Sequence, residues 1–158
     1  VVNSHPYMSQ FYDWIIMRRP IWYAFDRGVG TPATVRGVLL LGNPVIMWGG
    51  LLATLALVWE TLRRRSLAAF LILYFYLGFA FCWIVIPRKV SFYYYYYPAG
   101  MMLGLAITYW LVKAKRDWLT YVTLGTVFGF FFYFFPILAA LQIRADSFMR
   151  WMWFRSWI

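Results

Sequence analysis

Four stretches of the chain are apolar for long enough to cross a bilayer at about 20 residues per helix: 36 to 59, 67 to 86, 94 to 112 and 118 to 141. None carries a charge in its middle. The pattern predicts an all-α integral membrane protein with four transmembrane helices. Gly42, Asn43 and Pro44 interrupt the first run, and Pro98 stands near the start of the third. The small residues Gly100, Gly104 and Ala106 in that third run are spaced to let a neighbouring helix approach closely. Pro136 is expected to kink or end the fourth helix, because proline lacks the donor that the helix needs.

The polar punctuation orients these helices. Thr61 to Ser66, with three consecutive arginines, and Lys113 to Asp117 are short and densely basic. By the positive-inside rule both turns face the cytoplasm, and residues 1 to 35, the connection from Pro87 to Tyr93 and the tail after 141 then lie outside. This divides the chain into an extracytoplasmic interfacial segment (1–35), a four-helix membrane domain (36–141) and an extracytoplasmic interfacial tail (142–158). Residues 7 to 25 mix Tyr7, Phe11, Trp14, Ile15, Trp22 and Phe25 with Asp13, Arg18 and Arg19, and residues 146 to 158 interleave Trp with Arg. Both flanks read as amphipathic helices lying in the headgroup plane, their arginines snorkelling to phosphate.

Composition narrows the classes. At 64% hydrophobic residues a 158-residue chain lacks the polar surface to wrap a soluble globule. The 24% aromatic content, with ten Trp, suits the boundary between hydrocarbon and water. A net charge of +10 raises nucleic acid as a partner, but the cations lie in clusters between apolar runs and no nucleic-acid module accompanies them. Cys82, the sole cysteine, can form no internal disulfide. His5 is the sole histidine, so a structural metal site has no support. No glycine-rich phosphate loop or other cofactor motif is present, and no Ser or Cys has a partnering His. With no ionisable residue in mid-membrane, a transporter or channel is disfavoured.

Candidate chemistry gathers on the outer side. Glu60 and Asp117 border the basic turns and balance their charge, while Asp13, Asp26 and Asp146 lie outside without forming a pair suited to acid–base work. His5, Arg18, Arg19, Arg88 and Lys89 fall on one membrane surface, where their donors suit the phosphate of a lipid carrier. Tyr7, Trp14, Asn43, Tyr94 and Tyr95 are placed beside them, as candidates for a sugar or acceptor groove. Charge alone favours plain anchoring to membrane lipid over a dedicated site.

Ser4-His5-Pro6-Tyr7, Ser9, Trp14, Arg19-Pro20-Ile21-Trp22-Tyr23, Gly42-Asn43-Pro44 with Trp48, and Pro87-Arg88-Lys89-Val90-Ser91-Phe92 with the five-tyrosine run and Pro98 follow one another along the chain. This ordered set resembles the protein O-mannosyltransferase family in its final four-helix membrane region. The resemblance implies an enzyme that moves mannose, or a related sugar, from a polyprenyl-phosphate carrier to Ser or Thr of acceptor proteins outside the cytoplasm. It also implies that the acidic base lies in an upstream loop, so that this chain, which opens on Val1, is expected to be a fragment or processed product contributing carrier and acceptor binding. Family members often carry a His where Tyr95 stands here, with Lys89 and Arg88 one turn before Phe92. A related lipid-A or arabinose transferase fits the same features, and a non-catalytic four-helix subunit or assembly partner is the competing class. The host membrane is the cell membrane in a prokaryote and the endoplasmic reticulum in a eukaryote.

The orientation is testable by cysteine accessibility in a Cys82→Ala background. A Cys introduced at Ser4 is expected to react with an impermeant thiol reagent from outside and one at Ser66 is not; the reverse pattern would invert the topology.

Overall fold

A computed structural model of the chain describes residues 6–28, 32–86 and 88–158. The chain is mostly helical: α1 (Phe11–Ile15), α2 (a π-helical turn Val45–Gly49 running into Gly50–Arg64), α3 (Leu67–Phe81), α4 (Tyr97–Ala114) and α5 (Asp117–Leu138). Three strands, β1 (Ile21–Gly28), β2 (Thr34–Leu40) and β3 (Ile143–Arg144), form one antiparallel sheet in the order β1-β2-β3.

Local chemistry sets the helix ends. The Asn43 side chain accepts from the Val45 N–H at 3.1 Å, fixing the start of α2. Arg65 ends it in the left-handed conformation, and Ser66 then caps α3 by accepting from the Ala69 N–H. Lys115 repeats the left-handed stop after α4, and α5 begins at Asp117, an acid favoured by the positive end of the helix dipole. Pro136 falls in the last turn of α5, which closes two residues later.

Three helices are long and apolar enough to cross a membrane by length and composition: Val45–Arg64, Leu67–Ile84 and Asp117–Leu138. The run expected as the third crossing forms α4, 18 residues long, which carries Pro98, Tyr109 and Lys113 and is not among these three. It packs against both α2 and α3.

The flanks differ from the expectation of helices throughout. The first long helix starts at Val45 and not at residue 36, because residues 34 to 40 are a strand whose buried Val35, Gly37 and Leu39 alternate with more exposed neighbours. Ile21 to Gly28 pairs with it, with a bulge at Tyr23, so the aromatic spacing of residues 7 to 25 serves a five-residue helix and then a strand, not one amphipathic helix. The tail forms two short 3-10 turns, Phe148–Trp151 and Arg155–Trp157. Its indoles are drawn to backbone carbonyls: Trp157 donates to Met17 at 2.7 Å and Trp151 to Tyr133 at 2.6 Å. Trp157 is 1% exposed and lies against the chain's own amino-terminal segment.

At the end of the bundle away from the sheet, Glu60 is 3% exposed and binds Lys113 and Arg64. The Tyr109 hydroxyl lies 3.3 Å from Glu60 and 3.1 Å from Ser66. It has one proton to give, so it donates to the carboxylate and accepts from the serine. Glu60 thus balances the basic turns as expected, and it also ties α2 to α4 and, through Tyr109, to the start of α3.

The close helix approach falls at Gly50, where an added Cβ would lie 2.5 Å from the Leu103 Cβ; around Gly104 there is open space. Gly50→Ala is therefore expected to push α2 from α4 and destabilise the fold by about 1–3 kcal/mol, read as a lower melting temperature in detergent. Gly104→Ala, which meets open space and adds a better helix former, should not lower it.

Candidate functional site

At the sheet end of the bundle the chain builds an aromatic shelf. Trp83, in the 3-10 turn that ends α3, lies 4.8 Å from the Tyr95 ring, and Trp14 of α1 packs edge-on to Trp83 at 5.8 Å. Tyr94 lies 4.5 Å from Tyr95 and stacks on Phe92. These rings arrive from three separate segments, and a backbone clasp holds them together. The Ser9 N–H donates to the Ser91 carbonyl at 3.0 Å, the Ser91 hydroxyl returns a bond to the Ser9 carbonyl at 2.6 Å, and the Trp14 indole donates to the Ser9 hydroxyl at 2.8 Å.

Arg88 lies on this shelf. Its guanidinium carbon is 4.8 Å from the Tyr95 ring and 5.7 Å from that of Trp83, and one N–H donates to the Tyr95 hydroxyl. A guanidinium has five N–H donors in a fixed fork, and most of those on this exposed residue have no acceptor among the described residues. Lys89 beside it is also exposed. The buried Trp83 indole N–H has no acceptor among the described residues. The neighbouring Tyr95 hydroxyl, together with partial burial, pushes the Tyr94 hydroxyl above the usual tyrosine range, so Tyr94 is a neutral donor.

The structure thus brings Arg88, Trp14, Tyr94 and Tyr95 into one cluster with Lys89 next to it. It engages the other sequence candidates elsewhere. Arg18 pairs with Asp13 at 3.7 Å, and Arg19 donates to the Pro6 carbonyl at 2.8 Å. Asn43 spends its amide on the fold, donating to the Val127 carbonyl at 2.8 Å and capping α2. Tyr7 lines a separate cavity of about 570 Å³ between the hairpin and the tail, with Trp22, Phe25, Arg27 and Phe148. His5 lies outside the described residues.

No group of three or more His, Cys, Asp or Glu that could hold a metal occurs among the described residues. Each acid on the sheet side has an arginine: Asp13 with Arg18, Asp26 with Arg36 at 3.0 Å, and Asp146 with Arg144. Arg144 and Ser147 hold the Asp146 carboxyl below the ordinary aspartate range, which weakens it as a base. Sequence reasoning missed Trp83 and the role of Ser91 as a clasp. Trp83 sits at the end of an apolar run and reads as one more interface aromatic, and nothing local in the sequence pairs Ser91 with Ser9.

The family described as the C-terminal four-transmembrane region of protein O-mannosyltransferase matches residues 1–157. Among named relatives, the polyprenol-phosphate-mannose protein mannosyltransferase of Mycolicibacterium smegmatis is 27% identical over 172 residues, covering 98% of this chain and 33% of the relative. That of Mycobacterium tuberculosis is 25% identical over 174 residues, with the same coverage. The chain spans about a third of the length of these relatives. No solved structure matches it. This integral membrane chain belongs to the protein O-mannosyltransferase family, within the region that forms the family's C-terminal four-transmembrane part.

Proposed function

We propose that this chain is the carboxyl-terminal membrane region of a glycosyltransferase that moves mannose from a polyprenyl-phosphate carrier to Ser or Thr of proteins on the extracytoplasmic face. In this reading α2 to α5 each cross the bilayer, both basic turns face the cytoplasm, and the shelf binds the donor at the outer surface. The observation that carries the assignment is Arg88, a cation with open donors on a rigid aromatic support where α3 ends and the turn into α4 begins. Family membership supports the chemistry, since the relatives are named for a polyprenol-phosphate-mannose donor and a protein acceptor.

The physical sequence is short. A carrier phosphate entering laterally from the lipid meets Arg88 and Lys89 at headgroup depth, while its isoprenoid tail stays in hydrocarbon against α3 and α4. Arg88 can bind two phosphate oxygens in parallel, and its charge is not consumed by a neighbouring carboxylate. Tyr94, Tyr95 and Trp14 then lie beside the sugar, with hydroxyl and indole groups suited to a polar ring. Tyr7, at its separate cavity, borders the acceptor side, and Arg18 and Arg19, already engaged by Asp13 and the Pro6 carbonyl, are left out of the phosphate contact. The base that activates the acceptor hydroxyl comes from another part of the parent enzyme, in keeping with the arginine beside each sheet-side acid here.

Two measurements test this. A charge-assisted bond to phosphate contributes about 1.5–3 kcal/mol, so Arg88→Ala and Lys89→Ala in the full-length parent should each raise the apparent donor KM by roughly tenfold to a hundredfold. Arg150→Ala, on the tail, should change it little. Equal effects at all three positions, or none at Arg88 and Lys89, would reduce these residues to lipid anchors. Separately, the isolated chain should fold in a membrane yet transfer no sugar to a Ser or Thr peptide. Turnover abolished by Asp13→Asn or Asp26→Asn would instead place the base within this chain.

A further inference from the structure

The opposite end of the bundle has a feature that the shelf does not explain. Arg63, Arg64, Arg65, Lys113, Lys115 and Arg116 cluster around the two turns, against Glu60 and Asp117 as the only acids there. Glu60 takes Arg64 and Lys113, and Arg63 lies over the Trp59 ring at 4.9 Å. Arg65, Lys115 and Arg116 are left without a carboxylate partner among the described residues. Arg65 and Lys115 hold equivalent places, each ending a helix in the left-handed region, at φ 51° and 52°. Glycine fits that position best, so the left-handed conformation does not itself require a cation at either.

Beneath these charges runs a groove of about 530 Å³ between α3 and α4, lined by Ile72, Leu105, Thr108, Tyr109, Val112 and Lys113. The hydrogen bond between the Ser66 and Tyr109 hydroxyls brings the α2–α3 turn, and with it Arg65, to the end of the groove that Lys113 closes. Apolar walls thus lead up to a cationic rim at headgroup depth.

We propose that this groove and rim form a binding site for an anionic phospholipid of the leaflet on the basic-turn side, one acyl chain lying along Leu105 and Val112 and the phosphate held by Arg65 and Lys115. The charge excess selects an anionic headgroup over a zwitterionic one, and the groove selects a lipid over a soluble anion. The site is separate from the shelf and does not depend on which sugar is transferred or on the orientation of the chain.

The left-handed caps supply a clean test, because Arg65→Gly with Lys115→Gly removes both charges while giving the backbone the residue it favours there. In the full-length parent, native mass spectrometry should show phosphatidylglycerol retained in preference to phosphatidylcholine. At about fivefold per cation at a membrane surface, the double variant should lose roughly twenty-five-fold of that preference with its melting temperature maintained. Thr108→Trp, which fills the groove, should reduce retention of the lipid while leaving the rim charges intact. A double variant that keeps the preference while folded, a Thr108→Trp variant that retains lipid as before, or displacement of phosphatidylglycerol by inorganic phosphate at equal concentration would each overturn the proposal.

Discussion

Hydrocarbon offers a hydrogen-bonding group no partner, and at about one Trp in every sixteen residues this chain carries many indole N–H groups, most of which find one within the protein. The solution is to aim them at carbonyls. Trp22 donates to the Trp157 carbonyl at 2.6 Å while the Trp157 indole donates to Met17, so the tail and the amino-terminal segment lock together through two residues 135 positions apart. Trp110 does the same across the bundle, donating to the Ala53 carbonyl at 3.0 Å and joining α4 to α2. The first two bonds tie the tail to β1 and to the residues that follow α1, the helix whose Trp14 packs against Trp83 and Tyr95 in the shelf.

The same constraint sorts the charges. On the sheet side Arg18, Arg36 and Arg144 are matched to carboxylates and Arg19 to a carbonyl. Exposed pairs of this kind contribute little to stability, so their effect is mainly to take these cations out of competition for an anion. Arg88 is treated differently. It is held by a hydroxyl and by two aromatic faces, contacts that position a guanidinium without neutralising it.

The helices were legible in the sequence because hydropathy reports them directly; α3 begins at Leu67 and α5 at Asp117, within a residue of the expected starts. The sheet was not. Gly37 to Leu41 is apolar and adjoins the apolar start of α2, so a hydropathy window runs through Gly42-Asn43-Pro44 without seeing that Asn43 caps a new helix. The aromatic density of residues 7 to 25 equally hides a strand, since an interfacial helix and a half-buried strand place large rings with similar frequency over so short a stretch. Of the shelf, the pairing of Arg88 with Tyr95 was accessible from their nearness in the chain. The clasp between Ser9 and Ser91 was not, because contacts between residues 82 apart leave no periodic trace.

The resemblance leads to the expectation of a histidine where Tyr95 stands, and the two residues would supply charge at this position differently. A histidine there would gain and lose its proton near physiological pH, making any phosphate contact depend on acidity. Tyr95 cannot itself be a cation, but its ring and hydroxyl together seat the Arg88 guanidinium. The neighbouring Tyr94 hydroxyl is pushed further from ionisation by the Tyr95 hydroxyl beside it. The shelf therefore presents one fixed positive charge and neutral donors around it. The Arg88 guanidinium is thus the cation of the shelf, and the aromatic Tyr95 is its support.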